Sequence, residues 1–369
     1  MKILITGSGG FIGKNLVSTL RAAGEHEVLE YHSDMSLDRL EKFCRECEFV
    51  FHLAGINRPL RSEEFESGNV QFTETLVELL DSGANACPIV FASSIQAASD
   101  NAYGRSKLAA ENVLHRHEVQ TGARVLIYRL PNVFGKWCRP NYNSVVATFC
   151  HNIARGLDIR IDDPARRLEL VYIDDVIAEF LSTMSGGRSK CDEFYAVAPT
   201  YNRSLLEIAE LLESFSHCRM ALTVPNQNDE FTRKLHATYL SYLPTNDFGY
   251  DLLMHADARG SFTEFIRTEG QGQFSINIIK PHVMKGNHWH HTKHEKFLVI
   301  AGKGRIRLRQ IFSDEIIEYV VSGEKFEVIE IPPGYTHSIE NVGEKDMAVI
   351  MWANENFNPD RPDTYFMEV

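Results

Sequence analysis

Several things are missing from this chain, and each absence narrows what it can be. No apolar run approaches the roughly 18–20 residues needed to cross a bilayer, so no helical membrane span is expected. Basic excess is missing too: 38 Lys and Arg stand against 50 Asp and Glu, a formal net charge of −12. That balance excludes non-specific binding to nucleic acid or an anionic membrane surface, and leaves room only for a local basic pocket for a phosphorylated ligand. Cysteine is sparse and odd in number, seven in 369 residues, which reads as free thiols in a reducing cytosol. Cys44 and Cys47 form one C-x-x-C without a second pair, and read as ordinary helical cysteines, not a zinc knuckle. Internal repeats and low-complexity segments are absent. The opening Met-Lys-Ile-Leu-Ile-Thr-Gly breaks its apolar stretch at Gly7, too early for a signal peptide, and a cytoplasmic protein is expected.

What remains is an ordinary globular composition, 44% hydrophobic and 24% charged. At 369 residues the chain exceeds the size at which one core stops growing, so two domains are expected. Lys2–Thr6, His26–Tyr31, Phe49–Leu53, Ile89–Ala92 and Val125–Arg129 are short apolar runs without polar alternation. Helical spacing separates them at Phe11–Ala23, Leu37–Cys47, about Thr73–Ser82 and Gly104–His117, and a late helix is expected over Glu207–Phe215. This pattern predicts a parallel sheet covered on both faces. From about Leu243 the texture changes to short strands at regular spacing: Phe262–Ile266, Gln273–Ile279, Lys296–Val299, Arg305–Gln310, Ile316–Val321, Lys325–Glu330 and Met347–Trp352. Such spacing predicts a β-sandwich or barrel. The boundaries read as residues 1–243 for the first domain, 244–258 for a linker and 259–369 for the second, since Pro244, Asn246 and Gly249 break any helix.

The first chemical motif is Gly7-x-x-Gly10-Phe11-Ile12-Gly13-Lys14, placed directly between the first predicted strand and helix. Glycines there let backbone approach a pyrophosphate, and the helix N-terminus supplies oriented N–H donors. Tyr103 and Lys107 are four apart on a helix and share a face, where a lysine cation would help the phenol exchange a proton. Ser93 and Ser94 end the preceding strand and offer a hydroxyl for a carbonyl oxygen. This set resembles the nucleotide-sugar branch of the short-chain dehydrogenase/reductase superfamily, over roughly residues 1–240. His52-Leu53-Ala54-Gly55 and Arg129-Leu130-Pro131-Asn132-Val-Phe-Gly135 look like its cofactor-contacting and substrate-loop segments. The resemblance implies a Rossmann-like doubly wound fold, with Ser94 orienting the substrate oxygen, Tyr103 as acid, Lys107 on the nicotinamide ribose and Asn132 on the substrate. Only eight residues separate Ser94 from Tyr103, short for that branch, which keeps Ser93 open as the alternative. Tyr31 and His32 occupy the tip of the second strand and Lys14 flanks the glycine loop, so NADPH is expected; Glu30 or Asp34 pointing inward would favour NADH instead.

The second motif is Gly286-Asn-His288-Trp-His290-(four residues)-Glu295-(six residues)-Gly302, followed by Pro332-x-Gly334-(two residues)-His337-(three residues)-Asn341. His288 and His290 alternate on one strand and face one side. Glu295 and His337 arrive from neighbouring strands, completing a three-histidine, one-carboxylate set suited to a divalent metal, zinc first among them. Both halves match the cupin signature and imply an all-β cupin barrel. Asp257-Ala-Arg259-Gly260-Ser-Phe262-Thr-Glu264 and Val283-Met-Lys285-Gly286-Asn-His288 resemble a second family, the deoxysugar 3,5-epimerases. That resemblance implies Arg259 and Lys285 on a nucleotide diphosphate and His288 as the proton-abstracting base. A metal-bound histidine cannot also be a free base, so His288 carries two competing assignments. His291 and His294 read as outward-facing bystanders, with either open as a substitute ligand.

Reductase first and metal-type cupin second is similar to a bacterial family of bifunctional capsular polysaccharide enzymes. It implies a homodimer acting on a UDP-sugar. The cupin would invert C3 of a UDP-4-keto-6-deoxy-N-acetylhexosamine, and the reductase would then reduce C4 with NADPH. The product implied is UDP-2-acetamido-2,6-dideoxy-β-L-talose, on the route to UDP-N-acetyl-L-fucosamine. Two competing readings stay open. One is a single-step 4-keto-sugar reductase with a non-catalytic cupin for dimerisation or binding; the other is a dehydrogenase fused to a cupin oxygenase.

Overall fold

The structure, a computed structural model, describes all residues except 60, 62, 187–193, 269 and 271; Cys191 falls among these, and the other six cysteines carry free thiols. Two compact units result: Met1–Glu213 with Lys234–Pro244, and Ser214–Arg233 with Thr245–Val369. The division is thus discontinuous in sequence, unlike the single linker expected over 244–258.

The first unit opens with β1 (Lys2–Thr6), α1 (Phe11–Ala23), β2 (Glu27–Tyr31), α2 (Leu37–Glu46) and β3 (Phe49–His52). It continues with α3 (Glu63–Phe65), α4 (Phe72–Ser82), β4 (Ile89–Ser94), α5 (Ala102–Thr121) and β5 (Val125–Leu130). The five strands run parallel in the order β2-β1-β3-β4-β5. Alternate side chains feed two separate cores. Leu4 and Val50 pack with Leu40, Leu76 and Leu114 on one face. Ile3, Ile5 and Phe51 pack with Leu16, Leu20, Val176 and Phe180 on the other. Burial on both faces is why these strands read as continuous apolar runs. Parallel register brings Thr6, Tyr31, His52, Ser94 and Leu130 to one edge of the sheet, where ligands bind in doubly wound folds.

Beyond β5 the sequence reading assigned a substrate-loop segment up to Gly135 but no strand or helix before residue 207. The structure places β6 (Asn132–Phe134), α6 (Val145–Ile153), β7 (Arg167–Tyr172), α7 (Ile173–Met184) and β8 (Thr200–Ser204) there, and β6-β7-β8 form a small separate sheet. The late helix is longer than expected, α8 spanning Leu205–Ala221. It is followed by β9 (Thr223–Val224) and α9 (Glu230–Leu240).

The second unit contains β10 (Met254–Asp257), β11 (Gly260–Thr268), β12 (Gly272–Ile279), β13 (Met284–Trp289), β14 (Glu295–Ala301) and β15 (Lys303–Gln310). After these come β16 (Ile316–Ser322), β17 (Val328–Ile331), β18 (Tyr335–Asn341), β19 (Met347–Ala353) and β20 (Tyr365–Phe366). β10 lies inside the segment read as linker; its pairing with β11 supplies the order that composition did not signal. One sheet runs β10-β11-β12-β19-β14-β17, with β9 added on β11, and the other runs β16-β15-β18-β13-β20. A single core draws Ile279, Phe297, Val349 and Ile329 from the first and Ile306, Leu308, Val321 and Ile339 from the second, so the two sheets pack face to face. Of the expected sandwich or barrel, the closed barrel is not formed by strand pairing: the ladders stay within each sheet, and among the described residues neither sheet closes on itself.

Phe180 is fully buried and packs against the rings of Phe51, at 5.9 Å, and Tyr128, at 5.1 Å. Phe180→Ala is expected to destabilise the chain by about 3–5 kcal/mol, measured by urea unfolding; a loss under about 1 kcal/mol would contradict this packing.

Candidate functional site

At the carboxyl edge of the parallel sheet lies a cleft of about 810 Å3. The glycine loop forms one wall. Gly7 has φ +70°, and a Cβ there would stand 2.7 Å from the Ala54 backbone; one at Gly13 would stand 2.3 Å from the Gly7 carbonyl oxygen. No other residue fits either position. Gly10 caps α1, whose first turn carries neither a capping side chain nor an acid, leaving the helix N-terminus suited to an anion. The loop is thus a cradle of the shape and polarity that a dinucleotide pyrophosphate requires.

Gly7, Gly10, Phe11, Ile12, Gly13, Lys14, Leu53, Gly55 and Leu130 line the cleft together with Ser94, Tyr103, Lys107 and Asn132. Ala54 and His32, also expected at the cofactor, are not on its wall. Ala54 abuts Gly7 from behind. His32 meets the buried Ser8 hydroxyl through Nδ1 at 2.9 Å, at the tip of β2. Glu30 is turned aside into an ion pair with Arg21 of α1, and Asp34 is exposed beyond the strand end.

Tyr103 and Ser94 face the same cleft; burial raises the phenol's pKa and the Ser94 hydroxyl lowers it, with burial the larger effect. Ser93 is occupied elsewhere, donating to Glu111, which a bidentate Arg129 also grips at 3.0 and 2.6 Å. The short connection is made by a 3-10 turn, Ile95–Ala98, and three further residues that end at Asn101, the N-cap of α5. Gly104 permits the contact, since a Cβ there would lie 2.1 Å from the Gln96 carbonyl oxygen. Lys107 is buried, donates from Nζ to the Ala92 carbonyl at 2.8 Å, and lies over the Phe91 ring. Burial brings its pKa down to about 8, against an opposing pull from Glu111.

Asn69 escaped the sequence reading. It sits in a π turn, Glu66–Gln71, that joins α3 to α4. Its amide accepts from Ile56 N at 2.7 Å and donates to Ile56 O and Ser106 Oγ, both at 2.9 Å. One side chain thereby pins the loop after β3 to α5. The π turn is a known mark of functional sites, but it has no sequence signature. Asn132 is exposed on β6 and donates to Glu169 O at 3.1 Å.

In the second unit, one ligand atom from each of His288, His290, Glu295 and His337 lies within 4.8 Å of the others. Glu295 Oε2 is 3.5 Å from His290 Nε2 and 3.4 Å from His337 Nε2. All three atoms are buried without a hydrogen-bond partner, a costly arrangement unless something coordinates them. Three imidazole nitrogens and one carboxylate oxygen fit a divalent metal ion. Burial, then His337 and His290, bring the His288 pKa down to about 4, so its ring is neutral and able to ligate. Burial pushes the Glu295 carboxyl up, but the two facing histidines outweigh it and hold it well below the usual range.

A bulge before His288 sets the direction of these side chains. Gly286 has φ +100° and Asn287 φ +58°, and a Cβ on Gly286 would stand 2.7 Å from the His337 carbonyl oxygen. His290 lies one residue past the end of β13 and is held from outside it, its Nδ1 meeting the Asp363 carbonyl oxygen at 2.5 Å. The Asp363 carboxylate accepts the amides of His291, Thr292 and Lys293 at 2.9–3.0 Å. Nothing in the local sequence marks Asp363. His291 is exposed and His294 packs on Trp352. The inward face of β12 reads Gln273, Ser275, Asn277, Ile279, all buried. Register aligns Gln273, Ala353 and Glu295 across the sheet, so a polar interior surface continues from the cluster. Lys285 reaches into it, donating to Asn277 Oδ1 at 2.7 Å. Arg259 is exposed and paired with Asp257 at 2.6 Å.

Known proteins share this organisation. Residues 3–190 match the NAD dependent epimerase/dehydratase family, and residues 255–365 match the polysaccharide biosynthesis C-terminal domain. The chain is 47% identical to the UDP-2-acetamido-2,6-beta-L-arabino-hexul-4-ose reductase of Pseudomonas aeruginosa, over 100% of this chain and 99% of that one. A crystal structure of the capsular polysaccharide assembling protein CapF from Staphylococcus aureus superposes with a TM-score of 0.95 at 49% identity, covering 100% of both chains. The UDP-glucuronic acid 4-epimerase of Bacillus cereus, 19% identical with a TM-score of 0.56, covers 66% of this chain and 98% of its own, and shares the fold. Among the described residues no helix is long and apolar enough to cross a membrane. With its glycine cradle and its Ser94, Tyr103 and Lys107 on one cleft, the chain belongs to the NAD dependent epimerase/dehydratase family, as an enzyme of nucleotide-sugar chemistry whose family implies a nicotinamide cofactor.

Proposed function

We propose a bifunctional enzyme that first epimerises C3 of a UDP-4-keto-6-deoxy-N-acetylhexosamine in its second unit and then reduces the C4 ketone in its first. The observation that carries this reading is the pairing, in one chain, of the Ser94–Tyr103–Lys107 set with a buried four-ligand cluster. The activity for which the Pseudomonas relative is named, reduction of a 4-keto sugar, supports the second step. Chemistry dictates the order. A carbon-bound sugar proton is acidic only beside a carbonyl that stabilises the enolate, and reduction removes that carbonyl.

In the reductase, the bound nicotinamide would supply the hydride. Tyr103, its pKa raised by burial, is protonated at neutral pH and gives its proton to the developing O4 alkoxide. Ser94 holds that oxygen, and Lys107 offers its remaining N–H groups to the nicotinamide ribose. Leu53, Gly55 and Leu130 shape the cofactor wall, Ala54 backs Gly7 from behind it, and Asn132 faces the sugar. The cofactor we infer is NADPH: Glu30 is drawn off by Arg21, and the residue after β2 is His32, held by Ser8 of the glycine loop, where an acid would repel a 2′-phosphate.

In the second unit, His288, His290, Glu295 and His337 would hold one divalent ion, zinc by donor set. A bound ion of this kind polarises a carbonyl oxygen or fixes the fold. His288 belongs to the ligand set in this reading, which gives the base role to another group. Arg259 and Lys285 would meet the diphosphate. With two or more strands from each packed sheet around this polar interior, we assign the unit to the metal-type cupins.

Three outcomes test the division of labour. In D2O, with substrate and without NADPH, deuterium is expected at C3 by NMR; absence of exchange, with NADPH oxidation intact, would reduce the second unit to a binding module. Tyr103→Phe is expected to lower NADPH consumption by about 100-fold or more and to leave that exchange unchanged, and loss of both would refute two separate sites. His337→Ala is expected to release the metal, read by elemental analysis; undiminished metal content would remove His337 from the ligand set.

A further inference from the structure

We propose that the segment Pro362–Val369 is a working part of the four-ligand centre, with Asp363 as the positioning residue. The inference rests on the metal reading above and adds residues that the ligand motif does not contain.

A backbone carbonyl can only accept, so the Asp363 oxygen fixes the proton of His290 on Nδ1. The lone pair is left on Nε2, the atom that faces Glu295 Oε2 at 3.5 Å and has no other partner. The same residue's carboxylate clamps the loop directly after His290. It takes the amides of His291, Thr292 and Lys293 and the Thr292 hydroxyl, the last at 3.1 Å. Lys293 closes the clamp in return, donating from Nζ to Pro362 O at 3.2 Å and Thr364 Oγ1 at 3.3 Å. Asp363 adopts φ +42° to make these contacts, a conformation that a side chain other than Asp or Asn rarely takes.

The rest of the segment reaches the other two histidines. β20 pairs with β13 so that Phe366 stands opposite His288 and Tyr365 opposite Trp289. Met367 N donates to Asn287 O at 2.9 Å, on the left-handed residue of the bulge. Met367 O accepts from Thr336, the neighbour of His337. Three ligands are therefore each within one residue of a contact with a segment that lies about 70 residues from the His288–His290 motif.

Cobalt(II) titration of the full-length chain, stripped of metal by chelator, tests this through the d–d absorption band. Wild type is expected to bind one equivalent, and Asp363→Ala to bind about 10- to 100-fold more weakly with an altered band. Asp363→Asn keeps one acceptor oxygen and the backbone preference, and is expected to fall between them. Circular dichroism of the metal-free forms should match wild type; if Asp363→Ala does not fold, Asp363→Asn carries the comparison. Wild-type affinity and an unchanged band in both variants would overturn the proposal while leaving the metal reading intact. Wild type that fails to bind cobalt, with His337→Ala no different, would instead overturn the metal reading itself and the proposal with it.

Discussion

A polar side chain taken out of water must find a partner or be paid for in free energy, and both sites are built on that constraint. In and below the cleft of the first unit, Glu111, Ser93, Arg129, His52, Thr73 and Asn69 find partners within the protein, and Lys107 is anchored through one of its N–H groups. His52 is bonded on both ring nitrogens, by Thr6 at 2.8 Å and Thr73 at 2.9 Å, and burial keeps it neutral. Such a network has one low-energy arrangement and so fixes the loops that meet the cleft. In the second unit the constraint is left open, because the atoms of His290, Glu295 and His337 that face one another have no partner. A completed network makes a rigid floor, and an incomplete one makes a place for a ligand.

The sequence was legible where local physics decides the structure. The glycine loop, α1 and the five parallel strands could be read because apolar runs and glycine positions leave few alternatives. The convergence of His288, His290, Glu295 and His337 could be read because their spacing follows a chemical pattern. The stretch from Asn132 to Ser204 could not: its strands β6 and β8 are three and five residues long, too short for periodicity, and their pairing is set by tertiary context. β10 was taken for linker for the same reason, since all four of its residues are exposed. Open sheets against a closed barrel is likewise a question of long-range pairing that strand spacing leaves undetermined.

The finer features of the sites were invisible for a related reason. Asn69 acts through a π turn that no residue pattern announces, and Asp363 acts across a separation that only the fold collapses. The choice between Ser93 and Ser94 looked ambiguous in the chain; in space Glu111 takes the first, and the second shares the cleft with Tyr103. Polar residues at the inward positions of β12 are the one signal that was present and unused: Gln273, Ser275 and Asn277 alternate as an apolar face should, and are polar.

The tight turn between Ser94 and Tyr103 has a consequence for timing. Closing so short a connection over the carbonyls beneath Gly104 costs little chain entropy, and that cost is met once, during folding. Hydroxyl and phenol then stand together before any sugar arrives, and substrate binding has no ordering of this pair left to perform. An insertion within that turn would return the cost to every turnover, which makes its brevity a kinetic property as much as an architectural one.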